Sequence, residues 1–283
     1  MEINRQIPEA VKRKLRQQAG FGCCICGYPF YEYHHIIEFA ERPHHNPDDM
    51  MVLCPNHHHQ ATVRALDEGE QRLAKANPHN IERGFADGQL KILERAIAVQ
   101  IATVLFVGVG FKLVVDGEPL LRLEEDEDGR LLISITLYDR DDNVLLVIEK
   151  NEWILGDPLP WDFEFGYRWL KLRRRHHDIA LSINARTRPI EIDGNFWRKG
   201  QHFSIGRDFL IFNQETRHLS FGYLGFVNLI FMVDTGSSGF SIVPDQEFGQ
   251  GMIVSSSNPN ERLERALEAY EKLSKERFSQ HSE

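Results

Sequence analysis

Two pairs of soft metal ligands, each with a two-residue gap, constrain this chain more than any other feature. They are Cys23-x-x-Cys26 and, after 27 intervening residues, Cys54-x-x-His57. Such pairs read as one tetrahedral zinc site, which has no open position and therefore holds a fold instead of doing chemistry. All four cysteines lie between positions 23 and 54. A disulfide framework would spread them along the chain, so the clustering points to metal and to a reducing compartment. Between the pairs, and just after them, stand histidines the zinc does not need: His34, His35 and His58. Spare imidazoles in a zinc-stapled module suggest a second, catalytic metal. The bland alternative is a small binding module with one structural zinc, in which His34, His35 and His58 go unused. His44, His45 and His59 read as loop or surface residues, and Cys24 as a bystander.

The surrounding pattern places this module at the start of an α+β chain of 283 residues. Pro8 to Ala19 reads as a helix, with Pro8 in its first turn and Gly20 as its stop. Phe30 to Phe39 alternates like a strand, Met50 to Leu53 is its expected partner, and Asn56 onwards is helical in pattern. The module is expected over residues 1–68. Residues 69–88, with Asn77-Pro78, Gly84 and Asp87-Gly88, have the chemistry of a linker. From 89 to 254 short apolar runs alternate with turn pairs such as Asp116-Gly117, Asp128-Gly129, Asp141-Asp142-Asn143, Gly156-Asp157 and Asp193-Gly194. This implies a larger β-rich domain: a sandwich, a barrel or a stacked β-layer. Leu131 to Leu137 and Val144 to Ile148 read as a hairpin, while Leu90 to Ala102 fits helical periodicity as well as strand. Residues 258–278 form an amphipathic C-terminal helix with Leu263, Leu267, Tyr270 and Leu273 on one face.

The residues around the ligand pairs resemble the HNH endonucleases, the ββα-metal nucleases. The match runs over some 40 residues and rests on Cys23-x-x-Cys26, His34-His35-Ile36, Asp49-Met50-Met51-Val52-Leu53-Cys54 and Cys54-Pro55-Asn56-His57-His58. The resemblance implies a small zinc-stapled ββα-metal module that hydrolyses phosphodiester bonds in DNA. In it His35 is the general base that activates water. His34 and His58 are ligands of a catalytic divalent ion, Mg²⁺ or Mn²⁺. Cys23, Cys26, Cys54 and His57 hold the structural zinc. Asp49 stands where the family usually has asparagine, and either orients His35 or ligates the catalytic metal directly. Adjacent strand residues face opposite sides, so His34 and His35 share a site only where the strand ends or twists. The competing expectation is a non-catalytic zinc-stabilised module for DNA or protein binding. The resemblance is compatible with roles in restriction, phage defence, mobility or repair.

A second local resemblance, Phe231 to Ser238 with Asp234-Thr235-Gly236-Ser237-Ser238, is to the catalytic loop of pepsin-like aspartic proteases. That mechanism needs two aspartates sharing a proton, and the chain has one copy. The segment reads instead as a hairpin turn between Leu229–Val233 and Phe240–Val243.

Net charge is −9 and the pI about 5.8, which argues mildly against a simple nucleic-acid coat protein. The charge is uneven, however. Asp116 to Pro160 carries thirteen acids and four bases, whereas Asp162 to Ser220 carries eleven bases and seven acids. Arg168, Lys171, Arg173, Arg174 and Arg175, interleaved with aromatics, are the expected DNA-binding residues. An aromatic core under a solvated basic face explains the same pattern. The expected partner is DNA, with homo-oligomerisation through the β-rich domain or the C-terminal helix. No signal peptide is visible at the N-terminus, and the apolar run Ile97 to Phe111 falls short of the ~20 residues of a membrane helix. The chain is expected to be cytoplasmic.

Overall fold

A computed structural model of the chain describes residues 4–90, 98–101, 103–108, 111–128, 130–155, 158–206, 210–212, 217–219, 224–227, 229–234, 239–244 and 252–280. The chain divides into two units. The first comprises Met1–Gly88, Ile154–Gly166 and Leu172–His177, and the second comprises the remainder.

In the first unit, helix α1 (Glu9–Gln18) starts after Pro8 and closes at Ala19. Strand β1 (Glu32–His35) pairs antiparallel with β2 (Met50–Leu53), with His34 opposite Met51 and His35 opposite Met50. All four β2 residues are buried, which accounts for an unbroken apolar run where a half-exposed strand would alternate. Helix α2 (Pro55–Thr62) follows at once, with Cys54 as its N-cap and Pro55 in its first turn. Leu15, Ala19, Cys23, Ile36, Met50 to Leu53 and Ala61 form a shared core.

Two boundaries drawn from sequence are corrected here. Residues 69–88 are no linker: they contain helices α3 (Glu68–Ala76) and α4 (His79–Arg83). Asp67 and Glu70 form a reciprocal capping box that starts α3, and Gly84, at φ 77°, ends α4. Turn-forming residues there cap short helices instead of spacing domains. The first unit also recruits residues 154–166 and 172–177, which the sequence reading gave to the β-rich domain. The cause is packing. Phe163 lies edge-on to Phe21 at 6.2 Å and Phe165 lies 4.9 Å from Phe30. The buried guanidinium of Arg16 makes two 2.9 Å hydrogen bonds to the Asp162 carboxylate and a 2.7 Å bond to the Tyr33 hydroxyl.

The second unit is mostly sheet. Phe111–Val115, Glu118–Glu125, Leu131–Tyr138 and Val144–Glu149 run as an antiparallel meander. The first turn, with Asp116 at φ 49° and Gly117 at φ 81°, is of the left-handed kind hairpins favour. Asp178–Asn184, Ile190–Arg198, Gln201–Ile205, Leu210–Phe212 and Arg217–Leu219 form a second meander. Parallel pairings add Ala98–Ile101 to Ile190–Arg198, Val104–Val107 to Leu224–Val227, and Phe111–Val115 to Leu229–Asp234. Ala98–Ile101 is thus strand where helical periodicity competed; residues 91–97 of that ambiguous segment lie outside the described residues. Asp193-Gly194 is not a turn but the middle of strand Ile190–Arg198. A Cβ on Gly194 would sit 2.5 Å from the Ala180 carbonyl oxygen, so glycine serves close backbone approach there. Leu229–Asp234 pairs antiparallel with Gly239–Pro244, as a hairpin requires; its tip, 235–238, and with it most of the protease-like motif, lies outside the described residues. Helix α5 (Pro259–Gln280) covers Ala98, Leu105, Val107, Val227 and Val254 with Ala266 and Ala269, flanked by Leu263, Leu267, Tyr270 and Leu273. Among the described residues, no helix is long and apolar enough to cross a membrane.

Candidate metal centre and histidine cleft

Cys23, Cys26, Cys54 and His57 converge, with every ligand atom within 4.8 Å of the others. Cys26 Sγ and Cys54 Sγ are 3.8 Å apart, and His57 Nδ1 lies 3.4 Å from Cys23 Sγ and 3.2 Å from Cys54 Sγ. A zinc tetrahedron with Zn–S of about 2.3 Å and Zn–N of about 2.0 Å has S···S edges near 3.8 Å and S···N edges near 3.5 Å. The four atoms therefore have the spacing of metal ligands, and the sulfurs are far beyond disulfide distance. Burial, and then the crowding of the Cys23 and Cys54 sulfurs, pushes the Cys26 thiol up to about 12, a cost that a bound dication reverses. The donor set fits a structural metal ion, zinc first among them.

Local sequence makes this centre. Gly27 takes φ 72° to turn the first pair, closing hydrogen bonds from Gly27 N to Cys23 O (2.8 Å) and from Cys23 N to Tyr28 O (3.0 Å). Gly22 lets that turn approach, since a Cβ there would lie 2.2 Å from the Gly27 oxygen. Cys54 is the N-cap of α2 and His57 sits within its first turn, so the strand-to-helix junction sets the spacing of the second pair. Cys24 is buried and its thiol is raised to about 11 by that burial; it points to the core and stays out of the centre.

The next helix residue, His58, turns to a different partner. Its ring is perpendicular to that of His34 with centroids 5.1 Å apart, and its Nδ1 lies 3.2 Å from Glu32 Oε2. His34 Nε2 meets Gln71 Oε1 at 3.0 Å. β1 ends at His35, and both His34 and His35 line one open cleft of about 540 Å³, together with Glu38, Glu41, Arg64, Asp67, Glu68 and Gln71. The two adjacent strand residues thus border one cleft at a strand end. Their rings still keep different company. His35 packs near Phe39, His44 and His45, and its Nε2 lies 3.0 Å from the His44 carbonyl oxygen. Burial, and then the nearby His58, lowers the His34 pKa to about 4. Burial also lowers that of His35. Both imidazoles are neutral at pH 7, as a ligand or a base must be.

Asp49 is elsewhere. Its carboxylate accepts hydrogen bonds from Arg42, from Arg72 Nη2 at 3.2 Å and from Asn46 Nδ2 at 3.1 Å. Partial desolvation opposes ionisation, but these bonds hold the carboxyl below the usual range. In this structure it contacts neither His35 nor the other histidines of the cleft. The acceptor that fixes His35 is the His44 backbone carbonyl, and the carboxylate is spent on two arginines. Among the described residues, the Cys₃His set is the group of three or more such side chains that gathers to one point. His34, His58 and Asp49 do not. His44 is a loop residue, as expected, but a buried one: it is 8% exposed, and its ring bonds Ile37 O and Asn46 N.

The expected DNA-binding run is split. Trp169–Arg175 begins in the second unit, with Arg168 and Lys171, and its Arg173, Arg174 and Arg175 belong to the first. Arg173 is engaged within the first unit: its guanidinium pairs with Glu164 and, at 3.2 Å, with the buried Asp162. Phe163 and Phe165 are core residues, whereas Tyr167 is exposed.

Sequence reasoning missed Gln71, which lies in the supposed linker, and the His44 carbonyl, which no side-chain motif reports. The capping box Asp67-x-x-Glu70 was the available signal that a helix starts there. Comparison with protein-family models, with curated proteins and with solved structures finds no match to this chain in any of the three.

Proposed function

We propose that the first unit is a zinc-stapled ββα-metal nuclease module that hydrolyses DNA phosphodiesters with the help of a divalent ion. The observation that carries this reading is the joint placement of His34 and His35 at the end of β1, lining one open cleft, with His58, which follows His57 of the Cys₃His centre on α2, against His34. His35 is held by the His44 carbonyl. If its Nε2–H donates there, the Nδ1 lone pair is left to take a proton from water. His34 and His58 are the ligands offered to Mg²⁺ or Mn²⁺. When bound, such an ion neutralises charge on the phosphate and on the departing oxygen. Arg64 adds a positive charge to the cleft, but Glu38, Glu41, Asp67 and Glu68 outnumber it. A polyanion enters such a cleft only with a cation, so cleavage is expected to be strictly metal-dependent.

A second reading, a non-catalytic zinc-stabilised binding module, draws support from Asp49, which is engaged by Arg42 and Arg72 and leaves the two histidines without a gathered third ligand. Nicking of supercoiled plasmid separates the two. The nuclease reading expects Mn²⁺- or Mg²⁺-dependent nicking, abolished by chelation, and a loss of ~10²–10⁴-fold in His35→Ala with zinc content unchanged. Nicking by His35→Ala at the wild-type rate would refute it.

A further inference from the structure

The segment after α2 delivers a side chain into the histidine cleft whose chemistry determines how His34 can bind. Gln71 is 5% exposed and sits in the first turn of α3, whose start is locked by the Asp67–Glu70 capping box. Its Nε2 donates to the Leu66 carbonyl at 2.9 Å, and its Oε1 lies 3.0 Å from His34 Nε2. An amide's two ends are not interchangeable. With the nitrogen committed to a carbonyl, the end that meets His34 is oxygen, which only accepts. His34 Nε2 must then carry the hydrogen, and the neutral ring keeps its lone pair on Nδ1. Flipping the amide would set two oxygens face to face at Leu66. Moving the ring proton to Nδ1 would set a lone pair against Oε1. Both alternatives leave buried polar atoms unsatisfied.

We propose that Gln71 is a positioning residue that fixes His34 as its Nε2–H tautomer and so makes Nδ1 the atom by which His34 holds the divalent ion. Metal-bound histidines commonly give their second nitrogen to such an oxygen acceptor. The contact of His58 Nδ1 with Glu32 repeats the arrangement on the other imidazole. The proposal rests on the reading of His34 as a ligand given above.

The test uses the full zinc-loaded chain labelled with ¹⁵N-histidine, in wild type, Gln71→Met and Gln71→Glu. Two-bond ¹H–¹⁵N spectra report the His34 tautomer, and electron paramagnetic resonance reports Mn²⁺ affinity. Wild type is expected to show His34 protonated on Nε2. Gln71→Met, of similar length but without the acceptor, should lose that single tautomer and bind Mn²⁺ ~10–100-fold more weakly, with zinc content and His57 signals unchanged. Gln71→Glu, which keeps an acceptor toward His34 but sets its second oxygen against the Leu66 carbonyl, should restore the Nε2–H tautomer at a cost in stability. A wild-type His34 protonated on Nδ1 overturns the proposal on its own, even if Gln71→Met fails to fold. Wild-type Mn²⁺ affinity in a folded Gln71→Met also overturns it. A wild type with the expected tautomer but no Mn²⁺ binding would instead remove the ligand role of His34 and the nuclease reading, leaving Gln71 a clamp within the fold.

Discussion

Cys54 carries two duties that explain its position. It is the N-cap of α2 and a corner of the Cys₃His centre, so the strand-to-helix junction and the metal share one residue. Cys54→Ala is therefore expected to lose zinc and to unfold the first unit, because binding energy in such a site is folding energy. Stoichiometric zinc retained by that variant, measured by atomic emission, would contradict the ligand assignment. Asp49 shows the opposite case. Since its carboxylate serves Arg42 and Arg72 and does not touch His35, Asp49→Asn is expected to keep metal-dependent nicking. Complete loss in a folded Asp49→Asn protein would restore the carboxylate to the metal. The four side chains that could hold a metal were legible in the sequence because a two-residue gap is itself a geometric statement. The role of Asp49 was not, since register alone cannot tell which charges, 7 and 23 residues away, will reach a carboxylate.

At the scale of elements, the strand, strand and helix around the centre were legible because each has a local signal: an alternating run, an apolar run, and a helical pattern from Asn56 onwards. Helices α3 and α4 were not, because they are short and their turn-forming residues are also linker residues. What fixes α4 is remote in sequence. Asn80 is 1% exposed and donates Nδ2 to the Gly20 and Gly27 carbonyls at 3.0 and 3.3 Å, bracing the turn that presents Cys23 and Cys26. Asn80→Ala removes both bonds and should lower the stability of the first unit by about 1–3 kcal/mol, read as a lower denaturant midpoint that added zinc partly restores. An unchanged midpoint would remove that bracing role. In the second unit, Asp193-Gly194 read as a turn because glycine has two uses, and only the neighbouring Ala180 carbonyl shows which applies. Gly194→Ala should cost about 1–3 kcal/mol by overpacking against backbone, while leaving zinc content intact.

Across the whole molecule, the division into a unit with the Cys₃His centre and a sheet-rich unit is interleaved along the chain, and this was beyond sequence reading. Residues 154–166 and 172–177 join the first unit because Arg16 needs Asp162, and Phe21 and Phe30 need Phe163 and Phe165. A buried ion pair such as Arg16–Asp162 becomes expensive when one partner is removed, so Asp162→Asn should destabilise the first unit by about 3–5 kcal/mol. An effect below ~1 kcal/mol would show that the pair does not hold these segments together. The most direct test of the account is the metal content of the purified full chain after exposure to Mn²⁺. The account predicts one zinc per chain that resists mild chelation and one Mn²⁺ that the same chelator removes without loss of fold. It also predicts that the Mn²⁺ alone disappears when His34 and His58 are both replaced by alanine. Zinc as the sole bound metal, or Mn²⁺ bound equally well by the doubly substituted chain, would contradict it.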